Sequence, residues 1–271
     1  MAPILSSPPP SLHLTPEPLT PDSFAPFGTA IVSPLPRHLS APPTDLSSLP
    51  PHNPSPELAN QSSALKYSPV SPLLDHYAGR CPSGRAASAR MSMFCCFPRQ
   101  LRTVQSKLSS TKTETPVFDV RILERHPFTT QTFIPIDLSS QTHAGTRGGG
   151  ADDAQDEPFY LVVVAPTLKG ESVTAQTESG PTTIQDTPDL KNLRAFVARG
   201  GQAVTYGAGT WHAPMAVVGK RRVDFVVAQF ANGVGDEDCQ EAAFGEGIVV
   251  ELGESSTSSS SSRGGKVVAK L

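Results

Sequence analysis

The chain has 271 residues, with 22 Lys plus Arg against 25 Asp plus Glu and a formal net charge of −3; it shows no basic stripe interleaved with aromatics, so a nucleic-acid partner is not indicated. The longest apolar runs, such as LVVVAP, are far shorter than the roughly 20 residues needed to cross a bilayer. The opening MAPILSSPPP has neither the positive end nor the apolar stretch of a secretory signal, and a soluble, intracellular protein is expected.

In chain order, the start is rich in Pro and Ser (SSPPPSLHLTPEPLTP and SPLPRHLSAPPTDLSSLPPHNPSP), a composition that buries little apolar surface. Residues 1–13 are expected to be flexible. GTAIVS and MSMFCCF read weakly as strands. From residue 115 onward TPVFDVRIL, TQTFIPID, FYLVVVAP, GQAVTY and VDFVVAQF are β-branched or aromatic runs bounded by Gly, Pro or Asp, the pattern of an antiparallel sandwich or barrel. Segments 139–157 and 167–187 lack apolar periodicity and read as loop insertions. In TPDLKNLRAFVARG, Thr187 as a cap, Pro188 at the first position and Leu190, Leu193 and Val197 near one face suggest a helix, although AFV could equally start a strand. The four cysteines, at 81, 95, 96 and 239, form no C-x-x-C pair and read as reduced thiols. A Ser-rich tail over 251–271 ends in Ala269-Lys270-Leu271, close to the S-K-L address of peroxisomal import receptors. Peroxisomal or cytoplasmic localisation is expected.

Two stretches carry chemistry. In GGQAVTYGAGTWHAPMA, Gly201, Gly207, Gly209 and His212 reproduce the spacing of the second cupin motif, G-x5-P-x-G-x2-H-x3-N, with Gly207 in place of Pro and Ala216 in place of Asn. The glycines permit a sharp turn between strands, after which the imidazole enters the mouth of a barrel. In ERHPFTTQTFIPIDL, Glu124, His126 and Gln131 occupy the frame of the first motif, H-x-H-x3-4-E-x6-G, with Glu for the first His, Gln for Glu and Leu138 for Gly. Residues 124 and 126 share one strand face. Two imidazoles, a carboxylate and an amide could hold a divalent ion such as Ni, Mn or Fe. The fold expected is mainly β: a cupin-like antiparallel β-barrel (double-stranded β-helix) in one domain over 14–250.

Structural readings compete at each position. Glu124 and Arg125 could be a solvated pair at a strand end, with Arg125 facing away from residues 124 and 126. His126 before Pro127 could cap a turn, Gln131 could bond backbone, and Trp211 reads as packing. Lys220-Arg221-Arg222 read as an exposed hairpin tip. Asp224, in an otherwise apolar strand, needs a partner and could orient an imidazole or act as a base.

ERHPFTTQTFIPI, FYLVVVAP, PDLKNLRAFVARGGQAVTYGAGTWHAPM and RVDFVVAQ, with the upstream pieces LTPDSFAPFGTAI, ANQSSALKY and MSMFCCFPR, resemble in order and spacing the ureidoglycolate lyase family of purine and allantoin degradation, formerly called ureidoglycolate hydrolase, in its fungal form. The resemblance covers about residues 14 to 243; Cys95 stands where the family leads one to expect Arg. It implies a homodimeric cupin-like enzyme that splits ureidoglycolate into glyoxylate and urea, in some members with a divalent metal. On that basis His212 or Glu124 is the expected base, His126 delivers a proton or binds metal, and Gln131 makes a polar contact. Asp224 is a further substrate-site candidate, Arg99 or Lys66 would hold the substrate carboxylate, and Asn60 would read the ureido group. The competing functions are another metal-dependent cupin enzyme, a dioxygenase or isomerase, and a non-catalytic cupin that binds a small molecule.

Overall fold

A computed structural model describes residues 2–7, 9–36, 39–105, 114–136 and 158–253. The expected insertion at 139–157, Leu138 and the terminal tripeptide lie outside them. The strands are, in the N-terminal half, β1 (Ile4–Leu5), β2 (Leu12–Leu14), β3 (Glu17–Pro18), β4 (Gly28–Ile31), β5 (Glu57–Ala59), β6 (Ala64–Lys66), β7 (Ser88–Cys96) and β8 (Arg102–Gln105). They continue as β9 (Glu114–Asp119), β10 (Ile122–Arg125), β11 (Gln131–Pro135), β12 (Phe159–Ala165), β13 (Thr167–Thr177), β14 (Gly180–Pro188) and β15 (Arg194–Arg199). The last are β16 (Ala203–Tyr206), β17 (Trp211–His212), β18 (Ala216–Val217), β19 (Val223–Ala231), β20 (Gln240–Ala243) and β21 (Ile248–Glu251).

Two sheets position the site. The larger contains β20, β10, β17, β12 and β15 as successive neighbours, and the smaller runs β4-β16-β11-β19-β7. Alternation along the strands divides the core. Tyr160, Val162 and Val164 of β12 meet Phe133, Val204, Tyr206, Phe225 and Val227 of the smaller sheet. Leu161, Val163 and Ala165 face the other way, toward Trp211, Leu123, Ile248 and Val250. β12 is therefore apolar throughout because both its faces are covered. Phe225 closes the inter-sheet core, its ring edge-on to Phe133 at 5.8 Å and to Tyr160 at 5.0 Å. Among the described residues the two sheets face each other without joining into a closed barrel, a cupin-like β fold of several sheets.

Three local expectations change. Residues 1–13 contain β1, antiparallel to β13, and β2, parallel to β21, so much of this segment is paired. Segment 167–187 is a long hairpin of β13 and β14, shifted in register between Leu168 and Ser172, which packs Ala175 and Ile184 into the core. TPDLKNLRAFVARG is not a helix: Asp189, not Thr187, caps a single 3-10 turn at Leu190–Asn192, and the rest is β15, in register with β12 from Phe159↔Arg199 to Val164↔Arg194. Six cross-strand pairs outweigh the weak helical preference of AFVAR.

Candidate active site

The site lies where β10 and β17 of the larger sheet face β11 and β16 of the smaller. Glu124 is in register with His212 across β10 and β17, and Gln131 with Tyr206 across β11 and β16. Gly209, at φ +80°, turns the chain between β16 and β17, a backbone state natural to glycine. Its N–H donates to the His126 carbonyl at 2.8 Å, so the two sequence stretches are tied to each other by backbone.

His212 is 1% exposed and its ring stacks on that of Tyr206, 3.9 Å between centroids at 11°. Its Nδ1 lies 3.1 Å from the Thr210 carbonyl, and its Nε2 faces Gln131 Oε1 at 3.2 Å and Glu124 Oε1 at 3.4 Å. Gln131 Nε2 donates to Gln229 Oε1 at 2.7 Å, which fixes the amide with its oxygen toward the imidazole. His126 Nδ1 donates to the Asp238 carbonyl at 2.6 Å, leaving Nε2 as a lone-pair acceptor, buried and without a hydrogen-bond partner among the described residues. Asp238 is in turn held by Tyr77, whose hydroxyl donates to Oδ1 at 2.7 Å, and by the Asn232 and Gly233 N–H groups.

Burial opposes ionisation of Glu124, but the hydrogen bond to His212 and the two imidazoles hold its carboxyl below the ordinary value. Burial, then the neighbouring His212, push His126 down toward the neutral form. The Cys239 thiol, 4.0 Å from Glu124 Oε2, is pushed up to about 12 by burial and by Glu124, so it stays a thiol that can donate to the carboxylate.

One ligand atom each from Glu124, His126 and His212 lies within 4.8 Å of the others. With Gln131 Oε1, four acceptors converge with one proton at most on the imidazole nitrogens between them. Such a set attracts a proton or a divalent cation, and the orphaned His126 Nε2 is the donor atom that a cation would satisfy. The residues present therefore fit a two-His, one-carboxylate, one-amide metal site.

The other candidates are elsewhere. Asp224 lies five residues along β19 from Gln229, about 17 Å at strand rise, and its partner is Arg222, whose Nε and Nη2 meet the two oxygens at 2.8 Å each. Arg99 follows the far end of β7, where its N–H donates to the Val217 carbonyl. Asn60 and Lys66 belong to the separate β5–β6 hairpin, and no hydrogen bond or ion pair joins either to the cluster among the described residues. Arg125 is buried on the opposite face, 5.1 Å over Trp211 and bonded to Gln240 Oε1 and the Gln185 carbonyl. It is not part of a solvated pair. Trp211 is packing, with Nε1 donating to the Asp186 carbonyl at 2.9 Å. The sequence reading missed Tyr206, Gln229, Asp238 and Cys239. Gln229 alone left a signal, a polar residue on the inward phase of VDFVVAQF.

A cupin-like sheet pair with two histidines, a carboxylate and an amide at one end places the chain in the class of cupin-like β proteins with a candidate small-molecule site. Residues 11–251 match the family described as Ureidoglycolate lyase, and the chain belongs to that family. It is 32% identical over 222 residues to the ureidoglycolate lyase of Schizosaccharomyces pombe, covering 82% of this chain and 86% of that one. Over 196 residues it is 33% identical to the Saccharomyces cerevisiae ureidoglycolate lyase, covering 70% and 80%. A Pseudomonas syringae ureidoglycolate lyase is 31% identical over 133 residues, or 49% and 55% of the two chains.

The Tyr206 hydroxyl is buried without a partner among the described residues, so Tyr206→Phe, which keeps the stacked ring, should raise stability by about 1 kcal/mol. Urea denaturation checks this; a loss of stability would mean that the hydroxyl is satisfied.

Proposed function

We propose that the chain is a ureidoglycolate lyase, releasing glyoxylate and urea in allantoin catabolism. The observation that carries this reading is the convergence of Glu124, His126, Gln131 and His212 in a member of that family. The substrate carries a hydroxyl and a urea nitrogen on the carbon next to its carboxylate. Cleavage moves the hydroxyl proton to the departing nitrogen while the C–N electron pair leaves with urea and the carbonyl forms. The Glu124–His212 pair takes the hydroxyl proton, and His212 Nε2 returns it to the nitrogen, acting first as base and then as acid. Gln131 Oε1, fixed by Gln229, accepts from the ureido N–H. His126, held neutral, presents Nε2 as an acceptor or ligand.

A divalent ion such as Ni or Mn fits the same four donors, and when bound it would lower the pKa of the substrate hydroxyl and screen the carboxylate. A homodimer is also proposed. The outward face of the smaller sheet exposes Met91 (76%), Met93 (61%), Ile134 (42%) and Ile136 (48%), and among the described residues β7 leaves one edge unpaired, a surface of the kind that association covers. Peroxisomal import through Ala269-Lys270-Leu271 completes the reading; its receptor recognises such a tripeptide only at a free carboxyl end.

Four measurements check these statements. Purified protein should convert ureidoglycolate to glyoxylate and urea, with Glu124→Gln and His212→Ala losing 100-fold or more in kcat; no product above spontaneous decay would exclude the lyase. Calorimetric titration with Ni or Mn should show one site per chain, weakened at least tenfold by His126→Ala; the absence of binding would leave the residues to act alone. Sedimentation should give a dimer that Met93→Lys converts to monomer, and a monomeric wild type refutes the assembly. A fluorescent fusion lacking Leu271 should become cytosolic; an unchanged distribution would remove the address.

A further inference from the structure

The site as described lacks a group for the substrate's carboxylate. Neither cation expected to hold the carboxylate stands at the cluster: among the described residues Arg99 and Lys66 contact none of its members, and the neighbouring Arg125 is committed behind it. The need is real, because the wall formed by β10 and β20 is acidic. Glu241 is in register with Glu124, and alternation puts the Cys239, Glu241 and Glu124 side chains on one face. An anionic substrate approaching that wall requires a cation opposite.

The register of the smaller sheet supplies one. Tyr206 pairs with Gln131, Gln131 with Gln229, and Gln229 with Arg90, so four residues form one row across β16, β11, β19 and β7. Directly paired residues share a face. The inward direction of this row is fixed at three places. Gln131 contacts His212 at 3.2 Å, Gln229 accepts from Gln131 at 2.7 Å, and Phe94, in phase with Arg90 on β7, packs on buried Phe133 at 5.7 Å. Arg90 is therefore on the cluster's face, at the exposed end of the row, and no hydrogen bond or ion pair occupies its guanidinium among the described residues. With strands about 4.8 Å apart, its backbone is about 10 Å from that of Gln131. The long arginine stem lets the guanidinium lean along this face toward the cluster, to meet a carboxylate held between them.

We propose that Arg90 anchors the substrate's carboxylate, orienting the hydroxyl toward Glu124 and His212 and the ureido group toward Gln131. This rests on the lyase reading for the identity of the substrate. A guanidinium fork matches a carboxylate bidentately, which also gives a reason for the position to be Arg and not Lys. Because Arg90 contacts the end of the molecule that does not change bonding, it contributes to binding more than to the chemical step.

The test compares wild type, Arg90→Gln and Arg90→Lys on ureidoglycolate and on its primary amide, which lacks the charge. Arg90→Gln should raise KM tenfold or more with kcat within about threefold, Arg90→Lys should recover part of the loss, and the amide should be a poor substrate to which Arg90→Gln makes little further difference. A KM within twofold of wild type, or equal loss on both substrates, overturns the proposal. Glycolate, a carboxylate beside a hydroxyl, is titrated calorimetrically into the same proteins as a reading independent of turnover. Tenfold weaker binding to Arg90→Gln supports the anchor and equal affinity overturns it. An inactive wild type that still binds glycolate through Arg90 would instead overturn the lyase reading alone. Unchanged unfolding midpoints are expected for both variants, since the side chain is exposed and makes no hydrogen bond or ion pair among the described residues.

Discussion

Everything at the site depends on His212 being gripped by both sheets at once. Its backbone belongs to the larger sheet, between Glu124 of β10 and Val164 of β12, while its ring lies flat on Tyr206 of the smaller sheet. The stack fixes the plane of the imidazole, and the contact of Nδ1 with the Thr210 carbonyl at 3.1 Å selects the edge on which Nε2 is presented. Packing and one polar contact together therefore aim the nitrogen. Glu124 and Gln131 can then be arranged around a fixed nitrogen, and preorganisation of this kind is where catalytic advantage arises.

Such a cluster is costly to bury, because a carboxylate and two imidazoles lose their water. The fold offsets this from behind each member. Gln229 orients Gln131, the Asp238 carbonyl takes the Nδ1 proton of His126, and Cys239 offers Glu124 a thiol kept protonated by the same burial. The Asp238 contact is the most supported: its carboxylate is fixed by Tyr77 and two backbone N–H groups, while neighbouring Glu237 accepts from Ser83 and Asn232. This polar knot, built on a single four-residue helix at Gly235–Asp238, determines which nitrogen of His126 is available.

The grouping of Glu124, His126, Gln131 and His212 was legible because it depends on two short-range rules: alternation puts Glu124 on the inward face, and glycine allows the turn before His212. Residues whose role depends on position along a strand were not legible. Asp224 does need a partner, as its apolar strand implies, but alternation supplies Arg222 two residues away, and the distance from the cluster is set by the register with β11. Asp238 acts through a carbonyl, and a backbone acceptor leaves no mark in the sequence. In TPDLKNLRAFVARG the Pro and Leu spacing fits a helix, but the long pairing with β12 is a tertiary constraint that local preference cannot report.

The rear of β10 shows why the hairpin that read as a loop matters to the front. Arg125 sits between Glu124 and His126 and must point the opposite way, into a region that would otherwise bury an unpaired guanidinium. The hairpin meets it there: the Gln185 carbonyl and Asp186 from β14 and Gln240 from β20 accept from the guanidinium, and Trp211 lies beneath it while donating to the Asp186 carbonyl. Burial pulls the guanidinium's pKa down and Asp186 opposes the shift, which keeps the cation acceptable inside. Because Trp211 precedes His212 and Arg125 precedes His126, one latch behind the sheet fixes the backbone from which both imidazoles project. The hairpin, remote in sequence from Glu124 and His126, is thereby a condition for the geometry in front.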